Sequence, residues 1–177
     1  MSSQSVRVVL IQHPHIDLNG RRSELPLSGM SGQCHAWIMA NPNDDLPVLV
    51  IDGARFSDFD GFAREFSRLL SDYVWRGHLD AFNDLLRGGF GTPENGWVLR
   101  WLNSDLSRSA LGYEATVQRL EGILRTCHPS NGPVVAARIA SAQRGEGPTL
   151  FDEIVEIIRI HGPGGREPED GIILELA

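Results

Sequence analysis

The sequence predicts an α/β protein: a small, three-stranded parallel sheet with helices packed on it, plus an N-terminal extension. Three observations predict it. Short apolar runs at residues 48–51, 97–101 and 172–176 have strand length. The stretches between them carry apolar residues at helical spacing. Strands joined through helical crossovers are expected to be parallel and right-handed. At 177 residues and 41% hydrophobic content, the chain can bury one real core.

Residues 1–46 read as an extension with room for one or two added strands, and residues 47–177 as the domain. Residues 6–12 (VRVVLIQ) suit a strand. The polar, turn-rich stretch from His13 to Gly32 suits a loop. Residues 35–40 suit a second short strand or a packed turn, before the turn chemistry of Asn41 to Asp45.

From Pro47 the pattern is regular. The unbroken apolar run 48–51, closed by Asp52 and Gly53, suits a strand buried on both faces. Ser57 is placed to cap a helix over 58–72, with Asp60 three residues on and Phe59, Phe62, Phe66, Leu69 and Leu70 at helical spacing. Leu79, Phe82 and Leu86 make one apolar stripe on a second, short helix, which Gly88 and Gly89 end. The run 97–101 is the middle strand, with Trp97 and Trp101 sharing a face as core residues. Ser107 or Ser109 caps a long helix through Leu111, Ala115, Leu120, Ile123 and Leu124 to Cys127, broken at His128-Pro129. A shorter helix spans 134–143 and stops at Gly145. Pro148-Thr149 opens another, with Phe151, Ile154, Val155 and Ile158 inward, ending at His161-Gly162. Residues 172–176 form the last strand. The expected order is β-α-α-β-α-α-α-β.

The formal net charge is −7, which disfavours a general nucleic-acid binder and suits a basic partner. Cys34 and Cys127 form no CxxC or zinc pattern and read as ordinary thiols of a reducing cytosol. Residues 1–6 lack the charged start and apolar run of a signal peptide, and no apolar stretch approaches the ~20 residues of a membrane span. A cytoplasmic protein is expected.

Several chemistries fail on spacing. The glycines Gly88, Gly89 and Gly91 follow a helix, whereas a phosphate cradle precedes one. The histidines show no ligand spacing; His78 and Asp80 are two donors, too few to define a metal site. No GxSxG elbow occurs, and adjacent Cys127 and His128 point their side chains apart. Neither cofactor nor metal is expected.

Asp80 and Asp84 stand out. They lie one helical turn apart on one face, with no basic residue four beyond Asp80 and only Arg87 three beyond Asp84. The spacing leaves three readings open: solvated surface, a general acid–base pair, or a patch that recognises a cationic partner. Tyr73 and Trp75 precede the helix, placed to flank its acidic face. An acidic patch with neighbouring aromatics is the anatomy of a surface that grips Arg and Lys.

These residues resemble a known family. The stretch 79–86 (LDAFNDLL), with an aromatic upstream and glycine downstream, resembles the inhibitory helix of the barstar family. The blocks 85–91 (LLRGGFG), 98–101 (VLRW), 147–152 (GPTLFD) and 156–158 (EII) resemble longer barstar-like proteins of bacteria, and the order of elements resembles the barstar fold. The resemblance covers residues 47–177. It implies a cytoplasmic inhibitor or immunity protein, as in toxin–antitoxin pairs, without catalysis of its own. Its acidic helix would plug the basic active-site groove of a bacterial ribonuclease, one-to-one, with no direct contact to nucleic acid or membrane. The family is itself a reference case of electrostatic steering.

Asp80 and Asp84 match the family's two binding aspartates, and Asp84 the one that reaches deepest. Asn83 stands where the type member has an aromatic. Tyr73 or Trp75 is expected to take the upstream aromatic's role, and Glu153 or Glu156 that of a contacting glutamate on the last helix. The expected partner-binding set is therefore Tyr73, Trp75, His78, Asp80, Asn83, Asp84, Arg87, Glu153 and Glu156. Two other functions remain compatible: a module of the same fold that binds a basic non-nuclease, and a hydrolase using the carboxylates.

Overall fold

The structure, a computed structural model, describes residues 46–177. The strands expected near residues 6–12 and 35–40 lie outside the described residues, as does Cys34. The sheet contains β1 (Val48–Asp52), β2 (Trp97–Leu102) and β3 (Ile172–Leu176) in the order β1-β2-β3. Both pairings are parallel, with Leu49 opposite Leu99 and Leu99 opposite Leu174. Helices α1 (Phe59–Ser67) and α2 (Leu79–Leu86) connect β1 to β2. Four helices connect β2 to β3: α3 (Ser104–Ala110), α4 (Tyr113–Thr126), α5 (Gly132–Gln143) and α6 (Leu150–Ile160). The three-stranded parallel α/β architecture is the one the sequence predicts, with one helix more.

That extra helix comes from the stretch expected to be continuous from Ser107 or Ser109. The ladder breaks between α3 and α4, where the Leu111 carbonyl accepts the Phe151 N–H at 3.0 Å and Gly112 takes an extended conformation. Neither serine caps a helix. Ser107 is fully buried, and its hydroxyl accepts the Trp101 indole N–H at 2.8 Å. The start of α1 is also corrected by one residue: Asp58, not Ser57, is the cap, and its Oδ1 accepts the Gly61 N–H at 2.7 Å. The helix ends at Ser67, short of residue 72. The Ser67 hydroxyl donates to the Ala63 carbonyl at 2.7 Å and accepts the Trp75 N–H at 2.9 Å, which turns the chain back on itself.

Side chains alternate across the strands. Ile51, Trp97, Leu99, Trp101 and Ile172 join one core with Phe62, Phe66, Phe82, Phe151 and Ile154 from the helices. The other face is more open. Val48 and Val50 are 44% and 42% exposed, so β1 is not the doubly buried strand its apolar run suggests. Leu49 and Ile51 supply the side that meets the core, and one buried side is enough for the run to form a strand. A smaller cluster of Leu120, Val135 and Ile139, with Cys127 beside it, packs α5 on α4.

Helix α6 begins with a full capping box, in which Thr149 Oγ1 accepts the Asp152 N–H and the Thr149 N–H donates to Asp152 Oδ2 at 2.9 Å. This hydrogen bond from the Thr149 backbone holds the Asp152 carboxyl below its ordinary value of 3.8. A depressed carboxyl contributes stability above its unfolded value and loses it as pH falls through the folded one. Asp152→Ala is expected to cost about 1 kcal/mol at neutral pH. In urea titrations, the gap between variant and native chain should close as pH falls below 3.8.

Candidate partner-binding surface

Helix α2 is held by one face and open on the other. Phe82, Leu85 and Leu86 are buried, while Asp80 and Asp84 are exposed. Gly88 and Gly89 follow at φ of 105° and 93°, where glycine meets little steric penalty, so the expected stop is realised. The two carboxylates differ in setting. Asp80 lies in the first turn, where the helix dipole favours a negative charge. Asp84 lies in the last turn, where the dipole opposes it by about 0.3–1 kcal/mol. Its placement therefore works against the helix's own stability.

Arg87 offsets part of that. One guanidinium nitrogen donates to Asp84 Oδ1 at 2.8 Å, while two others grip Glu167 at 3.0 and 2.8 Å. The Glu167 carboxylate holds the Arg87 guanidinium above its ordinary value, and Arg87 holds Glu167 below its own. Sequence reading did not find Glu167. It comes from the polar segment after α6, 80 residues from Arg87, and no local pattern pairs them.

Asn83 does not project as the type member's aromatic would. It is half-buried, and its amide lies 3.0 Å from Nε2 of His161, a residue with no exposed surface. With the amide NH2 donating to Nε2, the amide oxygen accepts from Arg87 at 3.3 and 3.2 Å. His161 Nδ1–H then donates to Asp170 Oδ2 at 2.7 Å, so both ring nitrogens of the buried imidazole have partners. His161, Glu167 and Asp170 bring three donor atoms together, but the bidentate Arg87 occupies Glu167 and supplies the positive charge a metal ion would.

Trp75 is the clearest correction. It is 2% exposed, stacks on Phe82 with centroids 4.9 Å apart, and donates its indole N–H to the His78 carbonyl at 3.0 Å. The loop before α2 folds back into the groove between α1 and α2, so Trp75 is a core brace out of a partner's reach. Tyr73 remains at the surface, 37% exposed, with its ring 5.1 Å from that of Phe90. Phe90 is 43% exposed and was missed, because in sequence it is only the aromatic inside a glycine turn. The loops before and after α2 are joined by the Ser71 N–H donating to the Phe90 carbonyl at 2.8 Å. Gly91 permits this close approach: a Cβ there would lie 2.3 Å from the Ser71 nitrogen.

His78, Asp80, Arg119, Arg138 and Glu153 line one cavity of about 390 Å³. Glu153 is ion-paired with Arg138 there. Glu156 lines a separate cavity with Arg159 and Arg166. Of the two glutamates weighed on α6, the structure thus brings Glu153, not Glu156, to Asp80.

The family model described as barstar (barnase inhibitor) matches residues 46–153, and the chain belongs to the barstar family, a family of inhibitors. No curated protein and no solved structure matches it. The matched residues include all of α2, whereas His161, Glu167 and Asp170 lie beyond them. No helix among the described residues is long and apolar enough to cross a membrane.

The different roles of core brace and surface carboxylate are measurable. Trp75→Ala is expected to cost about 3–5 kcal/mol of folding stability, as for a large buried aromatic. Asp84→Ala should stay within about 0.5 kcal/mol, because lost pairing with Arg87 and relief at the helix dipole oppose each other. Chemical denaturation of both variants checks the contrast.

Proposed function

We propose that the chain is a cytoplasmic inhibitor, of the immunity-protein kind, that binds a bacterial ribonuclease one-to-one and occludes its active site with α2. The observation that carries this reading is the arrangement of α2 itself. Asp80 and Asp84 are exposed on one side of a helix whose other side, Phe82, Leu85 and Leu86, is locked in the core. Family membership supports it. The chain performs no catalysis in this reading.

The mechanism is competition by charge mimicry. A ribonuclease active site binds RNA phosphates with Arg and Lys side chains. Carboxylates on a rigid helix can take the phosphates' places at little ordering cost. The acidic chain, at −7, attracts a basic enzyme over long range and raises the encounter rate. Only one nitrogen of Arg87 touches Asp84, so the carboxylate keeps acceptor capacity toward an incoming cation. Tyr73 and Phe90 offer apolar contact from the two loops beside the helix. Asn83, tied to His161 instead of projecting, favours a target whose groove differs from the type member's.

The test is capture of the partner from the native host, followed by titration of its RNA cleavage. Inhibition should be complete at one-to-one stoichiometry. Asp84→Ala should weaken it by about thirtyfold or more, equivalent to ~2 kcal/mol. The association rate should fall as salt rises, since the Debye length shrinks to about 10 Å at 0.1 M. Undiminished affinity of Asp84→Ala overturns the site assignment. Tight binding to a basic protein that is not a nuclease would leave the surface intact and replace its target.

A further inference from the structure

A cavity of about 660 Å³ opens between the start of α1, residues 76–78 and α4. Arg76, Arg119 and Arg125 line it, beside His78. None of the three arginines forms an ion pair among the described residues. Arg64, Arg159 and Arg166 are likewise without one, so it is the gathering of three around one cavity that sets Arg76, Arg119 and Arg125 apart. The chain's 16 basic residues are all arginine, so the planar fork that matches phosphate bidentately is its sole permanently cationic side chain.

Arg119 is the anchor of the cluster. It is half-buried, donates to the Gly77 carbonyl at 3.1 Å, and lies 4.7 Å over the Phe59 ring. Burial pushes its guanidinium below the ordinary value. A guanidinium has five N–H donors, and one protein acceptor satisfies one of them. The ring, the carbonyl and the nearby charges of Glu153 and Asp80 offset part of the desolvation cost, and the remaining N–H donors are open to an anion. Gly77 makes the arrangement feasible, with φ of 82° and a hypothetical Cβ only 3.0 Å from Phe59 Cε1. Arg125 lies back over Gly122, its guanidinium 3.8 Å from where a Cβ would stand.

The opposite wall is acidic. Asp58 and Asp60 line it from the start of α1. Asp58 Oδ1 is committed to the Gly61 N–H, whereas Asp60 is exposed and makes no ion pair among the described residues. Two carboxylates weaken the site for a bare anion. They suit a ligand that carries hydroxyl donors next to its charge, as a carboxylate does when it binds ribose hydroxyls. Ala115 and Ile123 add apolar lining. The volume lies within the range of small-molecule sites.

We infer that this cavity binds a mononucleotide, with its phosphate on Arg76, Arg119 and Arg125 and its ribose hydroxyls on Asp60. The assignment does not rest on ribonuclease inhibition; because His78 and Arg119 also line the cavity beside Asp80, Arg125, which lines only this one, separates the two.

Calorimetry on the full-length chain tests it, with the four common nucleoside 5′-monophosphates and inorganic phosphate as probes. At least one nucleotide should bind saturably, with Kd between about 10 μM and 1 mM. Arg119→Gln and Arg125→Gln should each weaken that binding about tenfold or more. Arg64→Gln, an exposed α1 change outside the cavity, should leave it unchanged. Asp60→Asn should weaken the nucleotide and spare inorganic phosphate. If Arg119→Gln disturbs folding, Arg119→Lys keeps the charge and removes the fork, and exposed Arg125 carries the test by itself. No saturable binding up to about 10 mM overturns the inference. So does equal affinity for inorganic phosphate and every nucleotide, or indifference to Arg125→Gln.

Discussion

The structure depends on one contiguous aromatic contact. Phe62 of α1 stacks on Trp101 of β2 at 5.2 Å, meets Trp75 edge-on at 5.7 Å, and touches Phe82 of α2 at 6.1 Å. Phe66 closes the group, with its ring 4.8 Å from that of Phe82. Sheet, first helix, connecting loop and second helix are thus joined through rings that are all nearly inaccessible to water. Offset and edge-to-face pairs contribute about 0.5–1.5 kcal/mol each beyond their burial, and they restrict the angle at which partners meet. An eight-residue helix such as α2 has little stability of its own in water. Its direction comes from this cluster.

A polar linkage on the other side completes the support of α2. Asn83 reaches His161, and Arg87 reaches Glu167, so the helix is tied to the segment that follows α6. The buried imidazole, between amide and carboxylate, carries the directional part. The exposed Arg87–Glu167 pair is worth less, since solvent screens it. The aromatic side orients α2, and the polar side limits its roll. A surface that recognises a partner by two carboxylates requires both, because a rotated helix would present Asn83 or Leu79 instead.

Much of this was legible in the sequence. Strand positions, parallel pairing, the inward faces of α2 and α6 and the glycine stop all follow from periodicity and local hydrogen bonding. Asp80 and Asp84 were legible because period 3.6 puts them opposite Phe82 and Leu86. What was not legible involved distance along the chain. Trp75 looked like a surface aromatic because a loop position says nothing about where the loop goes. Ser107 looked like a cap because its buried partner, the Trp101 indole, is on another element. Glu167 lay in a polar loop with no period to read, and His161 read only as the end of a helix.

The sequence by itself determined the three strands, all but one of the helices, the faces α2 and α6 bury and the acidic pair α2 presents. These depend on interactions between residues a few positions apart, which the sequence displays directly. The tertiary structure alone decided that Trp75 and Asn83 turn inward, that Tyr73 meets Phe90, and that Glu153 rather than Glu156 comes to Asp80. It alone decided that Arg76, Arg119 and Arg125 gather around one cavity. Each of these is a meeting of side chains from separate elements, and it exists only once the core has set how those elements cross.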